Sequence, residues 1–490
     1  MPEIHGATER HVEEVLLQAG PDWESVYGKS VSGLKVLGAR HLILQVVGFV
    51  AGVLLARLLT PEAFGQFALA NFIVCLGAVF TDLGLGAALV QKRDEPNHID
   101  VQTVFTCIMT LTSIVAVILF WAAPAIMRLY RNLPDWAPWL VRVMAMSLLI
   151  TPIRTIPLLL LERNLQYKQI GLVELSEGLA YHITAMTCAL AGLGVWSFVL
   201  AIVTRNVAGV VLACAVVRKL PGFGFRKDRA IPLLRFGIPM QLQLFTSVLN
   251  GAVAPVLIGG MVGPIALGYL GWAGNLGSKP LQLAELLGRI TFAGYSRLQA
   301  DLSQLRKAME TTLEATGRFV FPLSLIGIAL APSITRLIYS DTWLPAVLAF
   351  QLYLASIIPF FIGVVPARGL IALGESQTVL YLNLVSTVAL WVGAILLLPF
   401  WGFASVPIAI TLATSMEMFL RIRAIKRVTP VKVLKSISPP WIAGTVAGVV
   451  GALMEPRVSS LGELAVAMVL SLGIYVLVLR LIHYKTPSLG

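Results

Sequence analysis

Residues 33–59 read GLKVLGARHLILQVVGFVAGVLLARLL, and the turn Thr60-Pro61-Glu62-Ala63-Phe64-Gly65 follows them directly. At 1.5 Å per residue, an apolar helix of this length can cross a hydrocarbon core of about 30 Å. Pro61 ends one helix and suits the first turn of the next, which stays apolar as far as Lys92. The stretch from Gly33 to Asp94 therefore predicts a transmembrane helical hairpin.

The turn has a second copy in the other half of the chain. Residues 264–270 read Pro-Ile-Ala-Leu-Gly-Tyr-Leu and share with residues 61–67 the pattern Pro-x-x-apolar-Gly-x-apolar. Each copy opens a half with about six hydrophobic runs, which is typical of an internal repeat. An even number of spans returns the chain to its starting side, so the repeats are predicted to be parallel, as in many secondary transporters.

Composition sets the class of protein. Apolar residues make up 57% of the 490 residues, charged residues only 13%, and the mean hydropathy is +0.83. A soluble protein carries about 25% charged residues, so this composition indicates a polytopic membrane protein. The net charge of +12 lies in the gaps between apolar runs, which favours contact with lipid headgroups and argues against nucleic-acid binding.

The predicted fold is an all-α polytopic membrane protein with about 14 transmembrane helices, in two pseudo-symmetric six-helix lobes plus two C-terminal helices. Hydropathy alone leaves the count between 12 and 14. Alternate loops are rich in lysine and arginine, which predicts that both termini are cytoplasmic. The predicted segments are a cytoplasmic N-terminal segment (1–32), the N-lobe (33–217), a basic cytoplasmic linker (218–230), the C-lobe (231–420), a basic cytoplasmic loop (421–440), and two last helices with a cytoplasmic tail (441–490).

Several short motifs resemble one family. The run from Ala56 to Gly65, followed by Asp82-Leu-Gly-Leu-Gly-Ala-Ala-Leu-Val-Gln-Lys92, resembles the opening of the polysaccharide transporters, or Wzx-type flippases. These belong to the multidrug/oligosaccharidyl-lipid/polysaccharide exporter superfamily. Further matches follow in the expected order, namely Glu162-Arg-Asn-Leu-Gln-Tyr-Lys168, Leu234-Arg-Phe-Gly-Ile-Pro239, Tyr295-Ser-Arg-Leu-Gln299 and Trp343-Leu-Pro-Ala-Val347.

The resemblance implies a flippase of the bacterial inner membrane. Such a protein moves an undecaprenyl-diphosphate-linked oligosaccharide repeat unit to the periplasmic leaflet for capsule, exopolysaccharide or O-antigen assembly. The two lobes would alternate access around a central cavity, and the last two helices would border a groove for the lipid tail. The implied partners are the lipid-linked oligosaccharide and the lipid bilayer; a polysaccharide polymerase and a chain-length regulator are compatible with it.

Cations within the apolar runs are the candidate substrate-binding residues. A charged residue in a span costs at least ~2.5 kcal/mol, and arginine binds phosphate through two parallel hydrogen bonds. Arg205 lies near the middle of its span, and Lys279 precedes the helix-breaking Pro280. With Arg154 and Arg40, they are predicted to face the cavity and contact diphosphate or acidic sugar. Snorkelling towards the membrane surface or pairing between helices is the alternative for each.

Three titratable groups in one run are the candidates for ion coupling. Glu174 and Glu177 are three residues apart and share a helix face, and His182 lies about a turn and a half further on. Such groups carry protons in many membrane transporters. The alternative is a structural pair with an arginine, for which Arg205 on the next helix is a candidate.

Two other functions stay open from the sequence. A drug or metabolite antiporter of the same superfamily would favour acidic cavity residues, whereas cations are in excess here. A membrane glycosyltransferase or polymerase would need a large extracytoplasmic loop, but the longest predicted outer gap, 128–138, has only about ten residues. No nucleotide-binding loop, metal cluster or nucleophile motif is present, so we predict a transporter with no cofactor, and the source of its energy stays open.

Overall fold

The structure is a computed structural model, and it describes residues 22–92, 97–218, 222–280 and 294–485. Parts of the predicted N-terminal segment, N-lobe, linker, C-lobe and tail lie outside these ranges, including the end of the predicted hairpin at Asp94. The described residues form α-helices joined by short turns, and no strand occurs among them. The predicted all-α fold is therefore confirmed.

The helices follow one another along the chain with few long connections. Their bounds are α1 (Asp22–Leu58), α2 (Pro61–Asp82), α3 (Leu85–Gln91), α4 (His98–Met127), α5 (Pro138–Leu148), α6 (Thr151–Arg163), α7 (Tyr167–Leu190), α8 (Trp196–Val217), α9 (Lys227–Val253), α10 (Pro264–Gly277), α11 (Leu302–Ile334), α12 (Val347–Ala372), α13 (Ser376–Trp401), α14 (Ser405–Lys426), α15 (Val433–Met454) and α16 (Leu461–Lys485). Short π-helical segments continue α9 (Ala254–Gly259) and α11 (Thr335–Tyr339).

Nine stretches of the described chain are long and apolar enough to cross a membrane. One of them, Ser376–Lys426, contains α13 and α14, which pack against each other and so form two arms of a hairpin. Helix α7 has 24 residues but is not among the nine, since Glu174, Glu177 and His182 make it more polar. The protein is therefore a multi-pass membrane protein, and the count of 14 spans stays a prediction.

The apolar run 139–161 is a broken helix rather than one straight span. Helices α5 and α6 meet at residues 149–150 with a bend of 43°. Pro152 is the second residue of α6, where the ring and the missing N–H prevent continuation of the preceding helix. The break places Arg154 in the first turn of α6.

The chain packs into two compact units that are interleaved along the sequence. Unit 1 comprises residues up to Leu55, Ile73–Ala123 and Pro138–Phe245, and unit 2 comprises Ala56–Phe72, Pro124–Ala137 and the chain from Thr246 onwards. Each unit thus takes segments from both predicted lobes. The lobe boundaries stay a prediction.

The two repeated turns meet inside unit 2. Helix α1 ends at Leu58 and α2 begins at Pro61, while α10 begins at Pro264, as the repeat predicts. A methyl group on Gly65 would overlap the carbonyl oxygen of Pro264, and one on Gly268 would overlap that of Pro61. The contact is reciprocal, and only glycine allows the two backbones to come so close.

A buried tryptophan covers this contact. Trp343 is fully buried, stacks on Trp272 with ring centroids 5.1 Å apart, and meets the edge of Phe64 at 5.0 Å. Its indole N–H donates to the carbonyl oxygen of Ala56 at 2.8 Å. Trp343 therefore links the end of α1, the first turn and α10 in one aromatic cluster.

We expect Gly65→Ala and Gly268→Ala each to destabilise the protein by about 1–3 kcal/mol, because the added methyl group meets backbone that cannot rotate away. The double variant should lose less than the sum, since both changes disrupt one contact. The measurement is thermal unfolding of the purified protein in detergent. Gly271→Ala is the matched control, since its methyl group on the same helix would meet no atom within 4 Å. Equal melting temperatures for all variants would contradict the prediction.

Candidate functional site

Helix α7 carries the polar residues around which the candidate site forms. Glu174 and Glu177 lie one turn apart in its first half, and His182 lies in its second half. The helix packs closely on α8, and side chains of α1 meet it at the Arg40–Glu174 pair. Each polar group on α7 therefore has a neighbouring helix that can supply a partner.

Helices α1 and α7 run in parallel along a ladder of three contacts. The contacts, in order along both helices, are the Arg40–Glu174 ion pair, the packing of Leu44 on Gly178, and the packing of His182 on Gly48. Residues four apart on each helix meet, because this spacing keeps side chains on one face. The ladder brings a predicted cation and two predicted coupling residues together.

Glu177 is the centre of a second set of charges. Its side chain is only 4% exposed, and Arg154 on α6 grips the carboxylate with two hydrogen bonds, of which Nη2 to Oε2 measures 2.7 Å. Arg205 on α8 approaches the same carboxylate, with Nε 3.9 Å from Oε2. Three helices are thus held together by one buried acid.

A glycine makes room for this arrangement. Gly209 lies one helical turn beyond Arg205 on α8, and a methyl group there would overlap Oε1 of Glu177 and press on the Arg154 side chain. Asn206 of the same helix donates to the hydroxyl of Ser147 at 3.2 Å. Sequence reasoning missed Gly209, because glycine is common in membrane helices and nothing local indicates which one faces a charge.

The charges of the two sets do not cancel. Arg40, Arg154 and Arg205 supply three positive charges, against two carboxylates from Glu174 and Glu177. The cluster keeps one positive charge when all five groups are ionised. Arg205 has the most exposed side chain of the five, at 52%, so it is the group best able to meet an anion.

Lys279 stands apart from this cluster. It follows α10 in unit 2, is half-buried, and forms no hydrogen bond or ion pair with any described residue. Six of the seven predicted site residues thus lie on α1, α6, α7 and α8 in unit 1. Their roles stay predictions.

Another charge cluster, which sequence reasoning also missed, lies where α4 and α9 begin. Asp100 is almost fully buried, is paired with Lys92, and lies 3.9 Å from a guanidinium nitrogen of Arg229. Asn97 and Asp100 exchange side chain to backbone hydrogen bonds of 2.9 and 3.1 Å, a capping box that the Asn-x-x-Asp spacing could have indicated.

The same cluster borders a cavity of about 460 Å³ and continues onto the surface. Arg226 grips Asp228 with two hydrogen bonds of 3.1 Å, and these bonds hold the pKa of that carboxyl below its usual value. Arg229 lies 3.7 Å from Asp228 and joins the surface pair to Asp100.

Within the ranges that the structure describes, no three metal-ligating side chains come together to hold an ion.

Comparison with known sequences gives related proteins. The profile of a family described as "Polysaccharide biosynthesis protein" matches residues 54–348. The lipopolysaccharide biosynthesis protein WzxC of Escherichia coli (strain K12) is 24% identical over 335 residues, which are 67% of this chain and 67% of that protein. The succinoglycan biosynthesis transport protein ExoT of Rhizobium meliloti (strain 1021) is 25% identical over 297 residues, 60% of this chain and 59% of that protein.

Comparison with solved structures supports the fold. The lipid II flippase MurJ in an inward closed conformation has a TM-score of 0.74 over 92% of this chain and 99% of that chain, at 15% identity. An inward-facing multidrug resistance MATE family transporter of the MOP superfamily has a TM-score of 0.62 over 83% of this chain and 99% of that chain, at 16% identity. At these identities the likeness concerns the fold alone.

We expect Glu177→Gln to destabilise the protein by roughly 2–3 kcal/mol, because it leaves Arg154 largely buried without its counter-charge. The cost is below that of a fully buried pair, since the Arg154 side chain is 24% exposed. Thermal unfolding in detergent measures it. Adding Arg154→Gln should recover part of the loss, whereas Glu174→Gln, at a carboxylate that is 35% exposed, should cost less. A Glu177→Gln protein as stable as the wild type would refute this role.

Proposed function

The chain belongs to the polysaccharide biosynthesis protein family of transporters, and on that premise we propose that it is a flippase for undecaprenyl-diphosphate-linked oligosaccharide repeat units. It would carry them across the bacterial inner membrane by alternating access, for capsule, exopolysaccharide or O-antigen assembly. The observation that carries the proposal is the surplus positive charge of the α1–α6–α7–α8 cluster, with Arg205 exposed at mid-helix.

A diphosphate needs such a charge. Moving an anion into a hydrocarbon medium is very costly unless cations and water accompany it. A half-exposed guanidinium at the middle of a membrane helix avoids the same cost by facing a polar cavity, by pairing with an acid or by snorkelling, and we propose that Arg205 faces the cavity. Arginine also binds a phosphate oxygen pair through its planar fork, so Arg205 suits the diphosphate of a lipid-linked sugar.

The three arginines would have different roles. Arg154 and Arg40 are each held by a carboxylate, so they fix the geometry of the cluster and leave its surplus positive charge to Arg205. Arg205 is 3.9 Å from Glu177 and is not tightly bound, so a phosphate can take over its guanidinium. Lys279, which has no partner among the described residues, would be a further substrate cation.

Glu177 could couple binding to protons. A proton arriving on this carboxylate would remove the negative charge that competes with substrate for Arg154 and Arg205. Glu174 could act in the same way on Arg40, with His182 further along the α1–α7 ladder. Under this proposal, proton binding and diphosphate binding favour each other.

Movement of the two lobes would open and close access to the cluster. The reciprocal contact of Gly65 and Gly268 joins a turn of the predicted N-lobe to one of the predicted C-lobe, so it would part when the predicted outer side opens. We also propose that both termini are cytoplasmic. A polysaccharide polymerase and a chain-length regulator are the proposed protein partners. A drug antiporter for cationic substrates would need surplus acid where this cluster has surplus base.

The test is complementation of a deletion strain. The assay measures how much lipid-linked repeat unit lies in the cytoplasmic leaflet and how much in the periplasmic leaflet. Deletion should trap them on the cytoplasmic leaflet, and wild type should release them. We expect Arg205→Gln and Lys279→Gln to lower the release rate at least about tenfold, because a charge-assisted contact to the diphosphate is lost. Arg205→Lys should recover part of the rate, since lysine keeps the charge without the fork.

Arg423→Gln is the matched control, because Arg423 is exposed in the last turn of α14 and should not affect release. All variants are compared at equal membrane levels. If deletion traps no intermediate and surface polysaccharide is unchanged, the flippase proposal is wrong. If deletion traps the intermediate but the Arg205→Gln and Lys279→Gln proteins release it at the wild-type rate, the flippase proposal stands and the assignment of these two cations is wrong.

A further inference from the structure

Unit 2 contains a cavity that carries no charge. It has a volume of about 210 Å³ and lies between α10, α12 and α14. Its polar lining residues are Ser278, Tyr353, Ser356 and Thr414, and glycines and apolar side chains complete it. Liquid water occupies ~30 Å³ per molecule, so the cavity has room for about seven waters. That is far more than a bare ion needs and is similar to the space of one sugar ring.

The three aliphatic hydroxyls present acceptors to this space. Ser278 donates to the carbonyl of Asn275 at 3.0 Å, Ser356 to that of Tyr353 at 2.7 Å, and Thr414 to that of Ile410 at 2.8 Å. Each hydroxyl hydrogen is thus used within its own helix. The oxygens keep lone pairs, so a ligand here must offer hydrogen-bond donors.

Tyr353 adds a donor and an aromatic wall. Its phenol forms no hydrogen bond within the described part of the chain, although the ring is packed over α10. A methyl group on Gly277 would overlap the side chain of Tyr353, and one on Gly274 would lie 3.6 Å from its hydroxyl. The glycines therefore give the tyrosine its position, and Phe360 supplies a second apolar ring.

The residues that line the cavity carry no charge to match an ionic ligand. None of the lining residues is a carboxylate, so nothing would compensate a bound cation. Lys279 directly follows Ser278 and would repel one. An anion finds no cation among the lining residues, and the hydrogens of three of the four hydroxyls are already bonded to backbone carbonyls. The match is a neutral molecule with several hydroxyl groups and an apolar face, which describes a pyranose.

We propose that this cavity binds one neutral sugar residue of the transported oligosaccharide. The inference rests on the proposed function and adds the chemistry of the sugar. A residue with free hydroxyls donates to Ser356 and Thr414 and accepts from Tyr353, while its C–H face packs on Phe360. A uronic acid would place its carboxylate against hydroxyls whose hydrogens are bonded to backbone carbonyls, with no cation in the lining, so this position selects against acidic sugars.

The experiment measures protection of a cysteine in the cavity. The native cysteines at 75, 107, 188 and 214 are replaced by alanine, and Ser356→Cys is introduced, with Ser376→Cys at the exposed start of α13 as the control position. The probes are undecaprenyl diphosphate, the same lipid bearing one glucose, and the same lipid bearing one glucuronic acid. The readout is the rate of modification by a small thiosulfonate reagent in nanodiscs.

The glucose-bearing lipid should slow modification at position 356 at least about fivefold, while sugar-free and glucuronic acid lipids leave the rate unchanged. The rate at position 376 should not change with any probe. A parallel assay measures the affinity of each lipid for the protein. Thr414→Val and Tyr353→Phe should each weaken binding of the glucose-bearing lipid about threefold to tenfold, without changing the affinity for sugar-free lipid.

Thr411→Val is the matched control on the same helix. Its hydroxyl donates to Pro407 and Leu352 and does not line the cavity, so its loss should not affect sugar binding. If all three lipids bind and none protects position 356, the sugar site is wrong and the flippase proposal survives. Equal protection by glucose and glucuronic acid would overturn the selectivity. If none of the lipids binds, both proposals fail.

Discussion

The absence of water in the bilayer core is the constraint on which this structure depends. An ionised group there needs a counter-charge or a wet path, and backbone polar groups must bond within helices. Glu177 meets the first requirement for two arginines at once and thereby joins α6, α7 and α8. That junction requires a glycine at position 209, since any side chain there would displace the acid.

The charge cluster around Glu177 and the cavity beside Tyr353 differ in kind. The cluster in unit 1 consists of ionisable groups and has one positive charge in excess when all five are ionised, which suits an anion. The cavity in unit 2 is lined by hydroxyls whose hydrogens are already used, which suits a neutral donor. A lipid-linked oligosaccharide has one chemical part of each kind. Under the proposed function, separate sites could therefore vary separately, with the sugar site changing between polysaccharides and the phosphate site kept.

The sequence predicted what depends on periodicity and composition. It indicated the helices, the hairpin at Pro61, its repeat at Pro264, and an arginine partner as one option for the acids of α7. It could not identify Arg154 as the tighter partner of Glu177, because that depends on how α6 is rotated after the bend at residues 149–150. The cavity beside Tyr353 could not be predicted from the sequence either, since its hydroxyls come from three separate segments of the chain with no shared motif.

The reciprocal glycine contact explains why one short pattern occurs twice. Each copy supplies both the glycine that admits a backbone and the proline carbonyl that enters, so neither copy can change alone without losing half of the contact. The atoms nearest to an added methyl group on either glycine are backbone atoms of the opposite turn, so the contact joins backbone to backbone. Parting it therefore exposes no unpaired charge. Under the proposed function, that suits an interface which breaks and re-forms as the two predicted lobes move.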